Sequence, residues 1–293
     1  MMSTRVAMLY PQRMNSVTVI GSINLDVVAS APRLPVPGET VTDAVLGTHP
    51  GGKGANQALA AQRMGADVSL IGRVGLDANA DQALVLLREG GVNLDGVTAD
   101  AAATTGLALI IVDADGENQI VVAPGANRQI VPEDVQVADS DAVICQLEIP
   151  LEVVIEAGRQ TRGLFCLNAA PVRPLPDELI EAADLIVVNE IEAEQLGDGI
   201  HQTGALVAIT LGSAGAHLHR EGRRVASATP PAVETVDTVG AGDAFVGALV
   251  ASLVAGHAEA ESLRRAVTAG ALATTVLGAQ PSAPTLALVE DLL

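Results

Sequence analysis

The second half of the sequence alternates short runs of β-branched and aliphatic residues with stretches of helical periodicity. From residue 135 onward, strand-like runs cover residues 142–147, 165–168, 185–188 and 207–211, and the clearest helical stretch covers 151–162. This alternation predicts an α/β fold with a mostly parallel sheet and helices on both faces. In such sheets, ligands bind at the carboxyl ends of the strands. Polar residues that follow predicted strand ends are therefore candidates for a site; they are Asn24, Asp26, Glu148, Asn168, Asn189 and Thr210.

The first half of the sequence contains strand-like runs that do not fit this alternation. Residues 17–20 predict the first strand of the main sheet, whereas 27–29 and 41–46 predict short strands on either side of a proline-rich loop. Residues 107–112 and 119–122 flank an Asp-Ala-Asp-Gly sequence that is typical of a β-hairpin turn. These strands are hard to place in a sheet that is flanked by helices.

Composition limits the classes of protein to which the chain can belong. Hydrophobic residues make up 49% of its 293 residues, which indicates a globular chain long enough for one large α/β domain or two smaller ones. The formal net charge of −19 argues against nucleic acid or an anionic membrane as a partner. Aromatic residues make up only 1% of the chain, so the core must rely on Ala, Val, Leu and Ile.

Cysteine usage and the N-terminus bear on cellular location. Cys145 and Cys166 lie in apolar runs, which favours small buried core residues in a reducing compartment over a catalytic role. No apolar run approaches the ~20 residues of a membrane span. Residues 1–14 lack the apolar segment of a signal peptide and are interpreted as a disordered extension or a start-site artefact. We therefore expect a cytoplasmic protein. The histidines show no metal-ligand spacing.

The glycine-rich sequence Gly240-Ala241-Gly242-Asp243 leads directly into an apolar helical run. A turn of this kind points several backbone N–H groups at one spot beside the positive end of the helix dipole, which favours an anion. Asp243 would lie beside that anion and could accept a proton from an attacking hydroxyl. The pattern therefore favours a phosphoryl-transfer site with Asp243 as general base. The alternative is an ordinary helix start with a capping aspartate.

A second glycine-rich cluster begins at residue 51 and also leads into a helix, predicted over residues 55–64. Lys53 and Asn56 lie about one turn apart and could face the same ligand. The cluster is not a P-loop, because glycine rather than Ser or Thr follows Lys53. Its amide and ammonium groups suit a polyhydroxylated molecule better than a polyphosphate. A tight turn with a solvated lysine is the alternative.

Short motifs occur in order from about Val17 to the C-terminus. They cover residues 21–26, 37–40, 51–58, 189–192, 210–213, 237–243 and 278–282. Together they resemble the signatures of the ribokinase branch of the PfkB carbohydrate kinase family. Each motif alone is a weak signal, but their common order over most of the chain is specific.

The resemblance implies a fold and an activity. The fold would be a three-layer α/β/α sandwich with a mostly parallel central sheet, in one kinase domain over residues 15–293. Segments of about 27–49 and 104–124 would form a small β-sheet lid over the sugar and a homodimer contact. The activity would be ATP-dependent phosphorylation of the 5-hydroxyl of D-ribose. Deoxyribose, another sugar or a nucleoside is the alternative substrate, and a non-catalytic sugar-binding or regulatory protein is the alternative class.

The resemblance also implies roles for individual residues. Asp243 would be the base, with Gly240, Ala241 and Gly242 around the transferring phosphoryl group. Asn189 and Glu192 would position the phosphates of ATP with Mg²⁺. The nucleotide would also contact Thr210, Gly212, Gly215 and Gly242. The sugar would contact Asn24, Asp26, Gly52, Lys53, Asn56, Glu148 and Asp243. Potassium would bind the Asp237 carboxylate, the carbonyls of Val239, Ala273, Val276 and Gly278, and the Ser282 hydroxyl.

One predicted site residue has another interpretation, and two features of the sequence depart from the family pattern. Glu148 precedes Pro150 and could instead be a solvated loop acid. The segment between Glu194 and Val207 is shorter than is usual in the family, so we expect a changed wall of the nucleotide site. Val267 stands where relatives often carry a polar residue, which predicts looser recognition of the base.

Overall fold

A computed structural model describes residues 15–137 and 139–293. The predicted extension over residues 1–14 lies outside the described residues. The strands are β1 Ser16–Ile20, β2 Asn24–Ser30, β3 Val45–Gly51, β4 Asp67–Gly75, β5 Asn93–Asp100, β6 Gly106–Val112, β7 Asn118–Ala123, β8 Ala142–Cys145, β9 Leu164–Asn168, β10 Leu185–Asn189, β11 Leu206–Thr210, β12 Ala216–Arg220 and β13 Arg223–Ala228. The α-helices are α1 Lys53–Arg63, α2 Ala78–Glu89, α3 Leu151–Gln160, α4 Asp177–Ala182, α5 Glu190–Leu196, α6 Ala241–Val254, α7 Glu259–Ala273, α8 Ala279–Ser282 and α9 Leu286–Glu290.

The described residues form a nine-stranded main sheet in the order β13-β12-β11-β10-β9-β8-β1-β4-β5. Neighbouring strands pair in parallel in the part of the sheet with the order β11-β10-β9-β8-β1-β4-β5, whereas β12 and β13 add an antiparallel edge. Strand β8 shows why the inner strands have continuous apolar sequences, because all four of its residues are buried. The predicted mostly parallel sheet is confirmed.

Helices cover both faces of the main sheet. Ala142 and Ile144 of β8 face the core that α1, α2, α6 and α7 cover, whereas Val143 and Cys145 face the core that α3 and α4 cover. The three-layer α/β/α sandwich is therefore confirmed.

Both cysteine thiols are free and buried, as predicted, and burial raises the pKa of each. Among the described residues, no helix is both long and apolar enough to cross a membrane.

Small side chains allow α1 and α6 to approach closely. A Cβ added to Gly247 of α6 would lie 2.6 Å from the Ala60 Cβ of α1. The scarcity of aromatic residues is consistent with this close helix contact, since Ala and Gly fill it. The approach brings the first turns of two helices together, and each of these helices follows one of the glycine-rich clusters.

The remaining strands form a second, four-stranded sheet in the order β3-β2-β6-β7. The predicted hairpin is confirmed, because β6 and β7 pair antiparallel on either side of the Asp113–Gly116 turn. The predicted strand over 41–46 is wrong, because the strand begins at Val45 and ends at Gly51. Asp43 has a φ of 69°, which ends any extended segment there. The predicted strand over 27–29 is longer than expected and begins at Asn24.

Candidate active site

The predicted site residues meet at the carboxyl ends of the central strands. A cavity of about 150 Å³, the small cavity, opens between β9, β10 and the first turns of α1, α5 and α6. It is lined by Lys53, Asn168, Ala170, Val187, Val188, Asn189, Glu192, Thr210, Gly240, Gly242, Asp243 and Val246. The structure thus brings both glycine-rich clusters to one place.

The N-terminus of α6 forms one wall of the small cavity. Gly240 precedes the helix in the left-handed conformation, with a φ of 80°. A Cβ at this position would lie 2.6 Å from atoms of Ala279, so the turn requires glycine for conformation and for space. The Ala241 N–H donates to the Thr238 carbonyl at 3.3 Å, and Gly242 lines the cavity. The helix start therefore places its positive end at the cavity.

Asp243 lies in the first turn of α6 and is only 8% exposed. Its Oδ2 accepts a hydrogen bond from the Asn56 Nδ2 at 2.9 Å, and its Oδ1 accepts one from the Gln57 Nε2 at 2.8 Å. The residue preceding the helix is Gly240, and no side-chain capping bond occurs there. These contacts exclude the capping alternative and hold a buried carboxylate beside the helix N-terminus.

Lys53 begins α1 and extends into an acidic environment. The pKa of its ammonium is raised, first by the charge of Asp243 and then by those of Glu148 and Glu192, against the opposing effect of burial. The alternative of a tight turn with a solvated lysine is therefore wrong. Lys53 provides positive charge in the small cavity of a protein whose formal net charge is −19.

The glycines of the second cluster allow the loop between β1 and β2 to approach α1. Gly52 has a φ of 88°, and a Cβ there would lie 2.7 Å from the Asn24 backbone nitrogen. A Cβ added to Gly54 would likewise lie too close to the backbone of Gly21. The Ala55 N–H donates to the Ser22 carbonyl at 2.9 Å. This close approach places the start of β2 next to the start of α1.

Glu148 is tied to both of these segments. Its Oε2 accepts hydrogen bonds from the Ser22 hydroxyl and from the Lys53 backbone N–H, the latter at 3.1 Å. The alternative of a solvated loop acid is therefore wrong. Asn24 is 4% exposed, and its Oδ1 accepts a hydrogen bond from the Asn127 Nδ2 at 2.8 Å.

Asp26 adds another carboxyl group to this cluster. Burial, followed by the charges of Glu148 and Asp243, raises its pKa from the ordinary value of 3.8 to about 7. Asp26 and Asn24 alternate along β2, so their side chains share one face of the strand. The cluster contains acceptor oxygens that are only partly satisfied within the protein; in particular, the buried Asn56 Oδ1 has no hydrogen-bond partner among the described residues.

Asn189 and Glu192 cap the N-terminus of α5. The Asn189 Oδ1 accepts from the Glu192 N–H at 2.8 Å, and the Glu192 Oε2 accepts from the Asn189 N–H at 2.8 Å. This reciprocal capping box fixes both side chains at the edge of the small cavity. Thr210 completes the same edge and donates its hydroxyl to the Val188 carbonyl at 3.4 Å.

A large cavity of about 570 Å³ adjoins the small one and shares Thr210 and Gly242 with it. The large cavity combines apolar side chains with hydroxyl groups and backbone. It is lined by Thr210, Gly212, Ser213, Gly215, Pro230, Pro231, Ala232, Val233, Thr235, Thr238, Ala241, Gly242, Phe245, Val267, Gly270, Ala271 and Thr274. Its size and position suit the nucleoside part of a nucleotide whose phosphates reach the N-terminus of α6.

The predicted cation ligands lie beside these cavities. The Asp237 Oδ1 accepts from the Val239 N–H at 3.0 Å, and its Oδ2 accepts from the Gly278 N–H at 2.9 Å. The Ser282 N–H donates to the Gly278 carbonyl at 3.2 Å, and the Ser282 hydroxyl donates to the Ala279 carbonyl at 3.0 Å. The carboxylate therefore links the loop before α6 to the turn of α8. The cation-binding roles of Asp237, Val239, Ala273, Val276, Gly278 and Ser282 remain predictions.

Comparison with known proteins accounts for this combination of sheet, helix termini and polar cluster. The family model described as pfkB family carbohydrate kinase matches residues 14–286. The chain belongs to this family. A ribokinase of Bacillus subtilis is 38% identical over 96% of this chain and 100% of its own length. A deoxyribokinase of Salmonella typhi is 33% identical over 94% of this chain and 98% of its own length.

A solved structure extends the pfkB comparison to three dimensions. The Arabidopsis thaliana ribokinase complexed with ribose and ATP is 32% identical to this chain, with a TM-score of 0.86. The match covers 95% of this chain and 98% of that one. The ribokinase-like fold that the sequence predicted is therefore confirmed.

The short segment before β11 lies outside both cavities. After α5, a 3₁₀ turn over Gly197–His201 leads to the start of β11. None of the described residues 197–205 lines either the small or the large cavity. The effect of the shortened segment on the nucleotide site remains a prediction. Val267, by contrast, lines the large cavity as expected.

Sequence reasoning missed a set of buried amides beneath Asp243. Gln57 and Gln146 are fully buried, and Asn168 is nearly so. Gln57 donates to Asp243 and to Asn168 and accepts from Gln146. The available signal was a glutamine next to Asn56, on the helix face that also carries Lys53 one turn earlier. Asn168 was selected only as a polar residue at a strand end.

Proposed function

We propose that the protein is an ATP-dependent sugar kinase that phosphorylates the 5-hydroxyl of D-ribose. The observation that carries this proposal is the buried Asp243 carboxylate, held by two amides of α1 at the N-terminus of α6. A general base for an alcohol and a binding site for a phosphate are thus adjacent. The relatives named ribokinase and the complex with ribose and ATP support this assignment.

The sugar is proposed to bind among the polar groups on the β2 side of Asp243. Hydroxyl groups can donate to the Asp26 and Glu148 carboxylates and to the unpaired Asn56 Oδ1. Lys53 can donate to a sugar oxygen, and Gly52 allows the backbone to approach. A bound sugar would therefore satisfy acceptors that are buried and incompletely paired in the free protein.

The transfer step follows from this arrangement. The sugar hydroxyl oxygen bonds to the γ-phosphorus of ATP as the bond between that phosphorus and the β-γ bridging oxygen breaks, and ADP leaves. The hydroxyl proton passes to the Asp243 carboxylate. Backbone N–H groups at the start of α6, with Gly240, Ala241 and Gly242, stabilise charge on the phosphoryl group. Lys53 lines the same cavity and balances the nearby negative charge.

Magnesium is proposed to enter with ATP. The small cavity offers oxygen donors of the type that Mg²⁺ prefers, in the carboxylate of Glu192 and the side chain of Asn189. Both side chains are fixed by the capping box of α5. When bound, the ion neutralises phosphate charge, and Glu192 and Asn189 would hold it through water molecules.

Potassium is proposed to bind at Asp237 as an activator. The donor set there is one carboxylate with neutral oxygens of Val239, Ala273, Val276, Gly278 and Ser282, which suits a large, weakly hydrated monovalent ion. The Asp237 carboxylate already connects the loop before α6 to the α8 turn. Its two oxygens have lone pairs beyond those that accept the two N–H bonds.

The small sheet is proposed to act as a lid and as a homodimer contact. Its strand β2 carries Asn24 and Asp26, so this sheet forms one side of the sugar site. Strand β7 is exposed along its whole length and presents Ile120, Val121 and Val122, with exposed fractions of 53%, 65% and 50%. An exposed apolar edge strand of this kind suits pairing with a second copy.

Cytoplasmic location remains a prediction.

Deoxyribose is the second candidate substrate, because a deoxyribokinase matches nearly the full length of the chain. A panel of ribose, deoxyribose, other pentoses and nucleosides, each with Mg²⁺ and ATP, tests both candidates by ADP release. The proposal expects the highest kcat/KM with ribose. A higher value with deoxyribose or a nucleoside would change the substrate. If none of these compounds gives ADP release, a non-catalytic binding or regulatory protein would be favoured.

A further inference from the structure

A continuous chain of buried amide side chains connects the main sheet to Asp243. The Asn168 Nδ2 at the end of β9 donates to the Val187 backbone carbonyl at 3.1 Å. The Gln57 Nε2 donates to the Asn168 Oδ1 at 2.9 Å and to the Asp243 Oδ1 at 2.8 Å. The Gln146 Nε2, one residue past β8, donates to the Gln57 Oε1 at 2.6 Å. Gln57 and Gln146 are 0% exposed.

The backbone carbonyl of Val187 sets the direction of this chain. A carbonyl can only accept, so the Asn168 side chain must present its NH₂ group to Val187 and its oxygen to Gln57. Gln57 must then direct its own NH₂ group toward Asn168 and Asp243, and its oxygen toward Gln146. The orientation of Gln57 is therefore determined by its neighbours, and its donor points at the Asp243 carboxylate.

Both oxygens of Asp243 are held from the same helix. Asn56 binds one oxygen and Gln57 the other, although the two side chains are adjacent in sequence. Two donors on different oxygens fix the plane of a carboxylate. A single donor would hold one oxygen and leave the carboxylate free to rotate. Asn56 lies at the sugar site with an unpaired Oδ1, whereas Gln57 has its amide fully engaged inside the protein.

We infer that Gln57 is a positioning residue that fixes the plane of the Asp243 carboxylate for proton acceptance. This inference rests on the proposed function, in which Asp243 is the general base. Gln57 itself is not expected to touch sugar or nucleotide, because its amide oxygen and nitrogen are used by Gln146, Asn168 and Asp243. Its loss should therefore lower kcat and leave the KM values for both substrates nearly unchanged.

The test compares Gln57→Met with Gln62→Met. Methionine keeps a similar shape and removes both hydrogen-bonding groups. Gln62 lies on the same helix, and its Oε1 accepts from the Val68 N–H at 3.0 Å, away from the cavities. We expect Gln57→Met to lower kcat by about 10- to 100-fold, the range for a catalytic group displaced by about 1 Å. Gln62→Met should retain the wild-type kcat. A wild-type kcat in Gln57→Met, or a loss confined to KM, would overturn the inference.

The Gln146→Met variant and ligand-free crystal structures provide two further tests of the role of Gln57. If Gln57→Met does not fold, Gln146→Met, which leaves the bonds to Asp243 in place but frees the Gln57 oxygen, should lower kcat by a smaller factor. A wild-type kcat in this variant would then contradict the inference. Ligand-free crystal structures of folded variants should show a rotated or disordered Asp243 carboxylate, and an unmoved carboxylate overturns the inference. This readout does not depend on turnover, so it stands even if the wild-type protein phosphorylates none of the sugars.

Discussion

Asn56 donates a 2.9 Å hydrogen bond to Asp243 across a sequence separation of 187 residues. This contact joins the two glycine-rich clusters, since each residue lies in the first turn of the helix that follows its cluster. The contact requires α1 and α6 to pack closely, which Gly247 and Ala60 allow. The packing of small residues in the core thus determines where the proposed sugar-binding and phosphate-binding halves of the site meet.

Base recognition by the large cavity should be weak. Among the described residues that line it, no side chain is charged and none carries an amide, and Phe245 and Val267 provide apolar surface. A site whose side chains offer only hydroxyl groups and apolar surface discriminates poorly between purines. We expect kcat/KM for ATP to exceed that for GTP by less than about 200-fold. Steady-state kinetics with both nucleotides check this, and a ratio near 10⁴ would show that backbone groups read the base closely.

Replacing Asp26 by Asn should stabilise the free protein above neutral pH. Its pKa is raised from 3.8 to about 7 in the folded state, so its contribution to stability is present at low pH and is lost as pH rises through this window. The variant removes that loss and should gain roughly 1–4 kcal/mol at pH 8, with little difference near pH 4. Denaturant unfolding at both pH values measures the effect. A destabilised variant at pH 8 would contradict the burial of this charge.

The same substitution should weaken sugar binding. Asp26 and Asn24 face the proposed sugar site from β2, and removing one hydrogen bond to a buried hydroxyl costs roughly 1–3 kcal/mol. Asp26→Asn and Asn24→Ala should therefore raise KM for ribose far more than KM for ATP. Kinetics with each substrate varied in turn provide the comparison. A loss confined to ATP affinity would reverse the assignment of the two halves of the site.

Potassium should activate the enzyme through Asp237 without contacting substrate. The Asp237 carboxylate connects the N–H groups of Val239 and Gly278, and an ion there would hold the loop before α6 in place. An ordered loop lowers the conformational cost of forming the phosphate site. Rates in potassium, sodium and a bulky organic cation at equal ionic strength should be highest in potassium. Equal rates in all three salts, or an unchanged potassium response in Asp237→Ala, would remove the assignment.

The sequence predicts the parts of the fold that depend on local pattern. The apolar runs of β8 to β11 and the glycine-rich starts of α1 and α6 are local signals, and the structure confirms them. Strand β12, which lies between β11 and the edge strand β13, was not predicted, because polar His217 and His219 alternate with Ala216 and Leu218 in a short segment that only pairing stabilises. The strand beginning at Val45 was misplaced, because the positive φ of Asp43 has no clear sequence signal.

The sequence predicted which residues form the candidate site, but it did not predict the contacts between them. Lys53 and Asp243 lie in the two glycine-rich clusters and Glu148 follows a predicted strand, and the structure places them together. The role of Gln57 was missed, because its partners Asn168 and Asp243 lie 111 and 186 residues away and no local pattern encodes such pairs. The shortened segment after α5 lies outside both cavities, which the sequence alone does not show, because the position of a loop depends on the packing of the elements that it connects.

Asp243 is proposed to accept the proton from the sugar hydroxyl. Asp243→Asn keeps the size of the side chain, although its NH₂ group would oppose one of the two amide donors of Asn56 and Gln57. The direct measurement is kcat of Asp243→Asn with ribose and ATP, together with ribose affinity by calorimetry on the same folded sample. We expect a kcat lower by ~10²–10⁴ with ribose still bound. A wild-type kcat in Asp243→Asn would contradict it.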